Sequence, residues 1–157
     1  PHCLEGTLLK GREGAIYFTF AAKGLNMKES VDNGRTWGEP WHFVDRMGSR
    51  IKGSHLTVFR MQSGKLGLVY NDYENFPRGI PGRDNWSGIM FRESEDEGKT
   101  WPLKRRLEPQ SDGATSFAYP SVIQSADGAV HITYTCKGPR GGRIRHGILQ
   151  PGQLKTD

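Results

Sequence analysis

An eight-residue stretch occurs twice in the chain, as SVDNGRTW at Ser30–Trp37 and as SEDEGKTW at Ser94–Trp101. The two octapeptides share five residue types at the same positions. Their aspartates can accept hydrogen bonds from turn amides, their glycines can adopt positive φ, and their tryptophans can wedge between layers. The octapeptides therefore predict two hairpin corners, each pinned to its neighbour. The shared positions are Ser30, Asp32, Gly34, Thr36 and Trp37, and Ser94, Asp96, Gly98, Thr100 and Trp101.

Three segments with alternating apolar residues, 15–20, 65–70 and 129–134, each follow a glycine. A period of two predicts a β-strand with one buried face, and the preceding glycine suits a hairpin turn. The predicted buried face carries Ile16, Phe18 and Phe20, then Leu66, Leu68 and Tyr70, then Val130, Ile132 and Tyr134.

The glycines before these segments, Gly14, Gly64 and Gly128, recur at the length of a propeller blade. Further strands are predicted before and after each segment. The expected fold is all-β, a single domain over residues 1–157 with three four-stranded blades at about 4–50, 51–109 and 115–154. The third unit has no octapeptide, so its outer strand is either missing or supplied from elsewhere.

The composition favours many short strands, since hydrophobic residues make up 34% of the chain and it contains 21 Gly and 9 Pro. No apolar run reaches the roughly 18 residues of a membrane span. A net charge of +5 favours anionic partners, but the basic clusters at 104–106 and 140–145 lack interleaved aromatics, so nucleic-acid binding is not expected. Cys3 and Cys136 are interpreted as unpaired core residues, with a disulfide in an oxidising compartment as the alternative.

The octapeptide resembles the Asp-box, or BNR, repeat of sialidase-like β-propellers, and the resemblance extends over nearly all of the chain. It implies the last three blades of a six-bladed ring. Three blades do not close a ring, so the resemblance implies either a homodimer of three plus three blades or a second half-propeller from a longer or split protein.

The family also implies candidate site residues. Sialidases use a tyrosine nucleophile because their substrate carries a carboxylate on the anomeric carbon. By this resemblance Tyr119 is the candidate nucleophile and Glu5 the candidate base. Arg83, with Arg78 as its rival, is the candidate carboxylate-binding residue. His55 opens the second unit and is a candidate substrate-binding residue.

The chain departs from the family pattern at two places. The family's other arginine in this half is expected near Ala21, where Ala-Ala-Lys stands instead. The remaining arginine and the acid/base aspartate belong to the N-terminal half of the family propeller. General acid catalysis is typically worth about 10²–10⁴-fold, so hydrolysis by the isolated chain is not expected.

Two functions follow from these features. The first is a non-catalytic propeller that binds an acidic glycan or a partner at its axis. The alternative is an exo-sialidase-type glycoside hydrolase that becomes active when a second half completes the ring. No cofactor and no metal site are predicted, since no His, Cys or Asp cluster has zinc or calcium spacing.

Overall fold

The computed structural model describes residues 4–72, 88–108 and 115–154, which form three antiparallel sheets in chain order. The first sheet contains β1 (Leu4–Lys10), β2 (Ile16–Ala21), β3 (Leu25–Ser30) and β4 (Trp41–His42). The second contains β5 (Gly53–Arg60), β6 (Leu66–Asp72), β7 (Ile89–Ser94) and β8 (Leu103–Arg106). The third contains β9 (Ser116–Gln124), β10 (Val130–Gly138) and β11 (Gly141–Leu149).

Each sheet is a meander in which every strand pairs with the next one along the chain. The first two sheets have four strands, and the third has three among the described residues. The third sheet thus differs from the four-stranded blade that the repeat predicts. In this unit β11 is followed by a 3₁₀ turn (Pro151–Leu154), whereas the other two units continue into an octapeptide and an outer strand.

The sheets pack face to face and enclose two apolar cores. The first core lies between sheets one and two and includes Met27, Phe43, Leu68 and Trp101. The second core lies between sheets two and three and includes residues such as Phe91. Because sheet two is covered on both sides, every residue of β6 and β7 is buried.

Strands β1, β5 and β9, which we call the inner strands, lie side by side and are joined by a repeated hydrogen bond. The hydroxyl of Thr7 donates to the carbonyl of Leu56 over 3.2 Å. The hydroxyl of Thr57 likewise donates to the carbonyl of Pro120 over 2.8 Å. Successive sheets are therefore related by the same inner-strand contact.

The burial of β2 corrects the sequence prediction. The apolar residues Ile16, Phe18 and Phe20 are only partly buried, whereas Tyr17 and Thr19 on the opposite face are 5% and 0% exposed. Sheet two covers the face that carries Tyr17 and Thr19, and no described element covers the other face fully. In sheet three, by contrast, the predicted residues Val130, Ile132 and Tyr134 are the buried ones.

The two octapeptides form the same turn. In the first, Asp32 accepts hydrogen bonds from the amide and the hydroxyl of Thr36, at 2.8 and 2.6 Å, and the hydroxyl of Ser30 donates to Asp32 at 2.8 Å. Gly34 has a φ of +83°, and its amide donates to Ser30 Oγ. The second turn repeats this network around Asp96.

The hydrogen bonds from Thr36 lower the pKa of Asp32 to about 2. In the second turn burial opposes the shift, but the bonds from Thr100 prevail and lower the pKa of Asp96. A carboxyl with a depressed folded-state pKa contributes stability above its unfolded pKa and loses that contribution as the pH falls through the folded value.

We expect the Asp32→Asn variant to have a lower Tm than the wild type at neutral pH. The difference should shrink between about pH 4 and about pH 2, because protonation then removes the same charge from the wild type. Thermal melts of both proteins across this range measure the effect, with Thr36→Val as a second variant. A difference in Tm that stays constant down to about pH 2 would contradict the assigned role of the Asp32 charge.

Candidate functional site

The three inner strands carry an irregularity at equivalent positions. In each, the pairing with the central strand shifts, at Leu4/Gly6 in β1, at Ser54/Thr57 in β5 and opposite Thr133/Thr135 in β9. These bulges place Glu5, His55 and Tyr119 at corresponding positions of neighbouring strands. His55 and Tyr119 have φ of +47° and +54°. Non-glycine residues seldom adopt this backbone conformation, and such residues cluster at functional sites.

His55 and Tyr119 contact each other across the inner strands β5 and β9. Their ring centroids are 4.3 Å apart with the planes at 76°, which is a favourable edge-to-face arrangement. The hydroxyl of Ser54 lies 2.8 Å from His55 Nδ1 and holds the imidazole in place. Tyr119 is 51% exposed, so its ring is accessible to a ligand while its orientation is set by His55.

The structure locates some, but not all, of the other positions that the sequence analysis singled out. Glu5 lies on β1 at the bulge equivalent to those of His55 and Tyr119. Arg83 and its rival Arg78 lie outside the described residues. Ala21 ends β2 and is buried, at the place where the family pattern would put an arginine.

Polar residues at the end of β6 were missed by the sequence analysis. Ser54 and Asn71 pair across β5 and β6, and the Asn71 side-chain amide donates to the Phe117 carbonyl at 2.6 Å, which ties β6 to β9. Asp72 is 6% exposed and lies 3.6 Å from Lys104 Nζ. The available signal was the Asn-Asp pair that directly follows the predicted central segment 65–70.

The same end of the sheets carries positive charge. The turn between β10 and β11 exposes Arg140 and Arg143 beside a groove of about 160 Å³. Cys136 lines this groove, is 2% exposed and is not in a disulfide, whereas Cys3 lies outside the described residues. The bulges and these arginines therefore share one end of the fold, which we call the bulge end.

The octapeptides lie elsewhere. Each begins where β3 or β7 ends, which is the end of the strands opposite to the bulges. Their aspartates are also engaged in the turns described above. Asp32 and Asp96 consequently cannot serve as acid/base residues beside Tyr119.

The described part of the chain holds neither a metal-ligand cluster nor a membrane-spanning helix. It contains no group of three or more His, Cys, Asp or Glu side chains placed to hold a metal ion. Among the same residues, no helix has the length and apolar character needed to cross a membrane.

Solved structures share this fold. An α-L-arabinanase from Penicillium chrysogenum has a TM-score of 0.69 and 16% identity over 99% of this chain and 48% of its own length. A PL25 ulvan lyase has a TM-score of 0.67 and 20% identity over 96% of this chain and 42% of its own. A protein of unknown function from Dyadobacter fermentans has a TM-score of 0.65 and 18% identity, over 95% and 38%. At these identities the likeness shows the fold alone.

This chain therefore spans less than half the length of these three proteins. None of the curated proteins compared with it matches its sequence. The model of the BNR repeat-like domain family matches residues 2–132, which is most of the chain. Together with the all-β, propeller-like fold, this match shows that the chain belongs to the BNR repeat-like domain family.

Proposed function

We propose that this protein binds an acidic glycan at the bulge end, and that the isolated chain does not hydrolyse it. The observation that carries the proposal is the contact between His55 and Tyr119, two strained bulge residues on neighbouring inner strands. An accessible aromatic ring held beside an imidazole offers an apolar surface for a sugar ring and a hydrogen-bonding group for its hydroxyls.

Charge favours an acidic ligand over a neutral one. The net charge of +5 creates an attractive field for anions, and exposed arginines can bind a carboxylate through paired, charge-assisted hydrogen bonds. Arg140 and Arg143 supply such groups at the bulge end. One protein of similar fold is an ulvan lyase bound to -[GlcA(1-4)Rha3S]-, a ligand with acidic groups, which supports this choice of ligand class.

Binding without hydrolysis is supported by the groups that the chain offers for acid, base and carboxylate-binding roles. A tyrosine nucleophile must pass its proton to a nearby base, and the leaving group needs an acid. The buried Asp72 is paired with Lys104, and by the family resemblance Ala21 stands near the place where a carboxylate-binding arginine is expected. The remaining candidate base is Glu5, whose strand lies beyond β5 from Tyr119.

The binding test uses sialyllactose as the acidic probe and lactose as the neutral one, measured by calorimetry. We expect sialyllactose to bind and lactose to bind at least about tenfold more weakly, which corresponds to a difference of about 1.4 kcal/mol. Tyr119→Ala and His55→Ala should each weaken binding of sialyllactose by a similar factor. Equal affinity for both sugars would contradict the proposed preference for acidic ligands.

A charge-matched control distinguishes binding at the bulge end from general attraction by the net positive charge of the protein. Arg140→Ala/Arg143→Ala and Arg35→Ala/Lys99→Ala each remove two positive charges, but the second pair lies in the octapeptides at the opposite end. Only the first double variant should lose affinity beyond the small field effect. Equal losses would indicate nonspecific attraction and would argue against the bulge end.

The alternative function is a sialidase-type hydrolase that is active once a ring is completed. It is favoured by the equivalent bulge positions of Glu5 and Tyr119 on β1 and β9. A fluorogenic sialoside tests it: turnover that disappears in Tyr119→Phe would establish hydrolysis. Binding without any turnover, at every protein concentration tried, supports the binding function.

A further inference from the structure

The first sheet has an apolar outer face, which we call the first flank. Phe18 stacks on Phe20 with ring centroids 5.6 Å apart, and Phe18 meets Trp37 edge-on at 6.0 Å. With Lys28 these residues line an open groove of about 350 Å³. Leu8 lies beside Phe18 in the strand register and is 64% exposed.

The groove residues of the first flank have direct counterparts in sheet two. Phe18 pairs with Lys28 in sheet one as Leu68 pairs with Arg92 in sheet two, and the sequence repeat aligns Phe20 with Tyr70 and Trp37 with Trp101. Every counterpart is at most 2% exposed, because sheet one covers it and Phe43 packs 4.9 Å from the ring of Trp101. The counterparts of Phe18, Phe20, Lys28 and Trp37 are Leu68, Tyr70, Arg92 and Trp101. The first flank is therefore one half of an inter-sheet contact whose other half is not found among the described residues.

The outer face of sheet three, which we call the second flank, supplies the opposite half. Ile123 and Ile144 are 68% and 69% exposed, and Ile148 lies on the same face. In the strand register Ile144 corresponds to Leu25 of sheet one and Ile89 of sheet two. Both of those residues are fully buried against the next sheet.

The hydrogen bond between inner strands runs in the same direction at both sheet contacts, from one sheet to the next along the chain. Thr7 and Thr57 donate to the carbonyls of Leu56 and Pro120 in the following sheet. The register aligns Ser121 with the two threonines, and it aligns Gly6 with the two acceptor residues. Ser121 on the second flank thus occupies the donor position of this hydrogen bond, and Gly6 at the first flank occupies the acceptor position.

We propose that the two flanks are docking surfaces for a second copy of this chain. The first flank of each copy packs against the second flank of the other, and Ser121 donates to the Gly6 carbonyl of the opposite copy. A twofold axis makes the two contacts equivalent, buries the exposed apolar residues of both flanks and closes a ring of six sheets. One chain carries both complementary halves of the contact, so a second copy is sufficient to cover both flanks. This inference is independent of the proposed glycan binding.

The primary experiment is the solution mass of the full chain by light scattering and sedimentation at micromolar concentration. We expect twice the mass of one chain. A monomer at up to about 100 µM would overturn the proposal, since a specific closed contact is expected to be tighter than that. A series of larger species that grows with concentration would overturn the twofold closure.

Charged substitutions on either flank should dissociate the dimer. Leu8→Glu and Ile144→Glu each place a carboxylate in an apolar contact, which should raise the Kd more than about 100-fold. Met47→Glu is the matched control, because Met47 is an apolar residue that is even more exposed, at 85%, and lies in a turn outside both flanks. Circular dichroism confirms that each variant is folded, and a monomeric Met47→Glu would contradict the assignment of the surfaces.

Mixing the two flank variants provides a complementation test. A heterodimer of Leu8→Glu with Ile144→Glu retains one contact in which both flanks are wild type. We expect the mixture to regain a species of twice the chain mass, with an affinity between those of the wild type and the single variants. Failure to regain it would show that the two substitutions do not act on opposite halves of one contact.

Discussion

Replacing Trp101 by alanine is expected to lower the free energy of unfolding by about 3–5 kcal/mol, the usual cost of removing a buried tryptophan. Trp101 is fully buried between sheets one and two, its indole N–H donates to the Gly98 carbonyl at 3.0 Å, and its ring packs on Phe43. The variant loses the apolar contacts of the ring and leaves a cavity inside the first core. Denaturant unfolding followed by far-ultraviolet circular dichroism measures the loss.

The equivalent tryptophan of the first octapeptide provides the matched control. Trp37 is 37% exposed on the first flank. Trp37→Ala should therefore cost much less, about 1 kcal/mol. Both substitutions should be compared in the Ile144→Glu background, in which the second flank cannot dock and the first flank stays uncovered. Equal costs for the two tryptophans would contradict the different burial of the octapeptides.

Replacing Gly53 by alanine is expected to destabilise the fold by about 1–3 kcal/mol through overpacking. A Cβ at this position would lie 2.4 Å from the carbonyl oxygen of Asn71 and 2.6 Å from the ring of the buried Tyr70. Neither neighbour can retreat easily, because the first is backbone and the second is enclosed by the core. Since Gly53 lies two residues before His55, the variant should also weaken sialyllactose binding.

Gly142→Ala is the control for this substitution. Gly142 is exposed on β11, and a Cβ there would meet the Lys137 side chain at 3.7 Å, an ordinary contact distance. Its stability should therefore equal that of the wild type or exceed it slightly, because alanine restricts the unfolded chain. If Gly53→Ala were as stable as Gly142→Ala, the close approach of β5 to β6 would be disproved.

Much of the fold is predictable because its signals are local. The octapeptides specify turns through residues that bond to one another within five positions, and the alternation of the central segments specifies strands. The family match confirms the resemblance that these repeats carry.

The candidate site is only partly predictable. The sequence analysis named His55 and Tyr119 as candidate site residues, and the structure places both at bulges of the inner strands. Their mutual contact depends on two bulges and on the packing of β5 beside β9, features without a sequence signature. Asp72 was missed for a related reason, because its burial depends on neighbouring sheets. The roles of Glu5 and Arg83 stay predictions.

The sequence by itself determined which segments are strands, where the chain turns and that the sheets repeat, since these properties depend on residues close together in the chain. Only the tertiary structure decided which faces are covered. Phe18 and Leu68 occupy the same position of the repeat, yet Leu68 is fully buried and Phe18 is not. The physical reason is that burial depends on the neighbour that packs against a face, and among the described residues sheet one has such a neighbour on one side only.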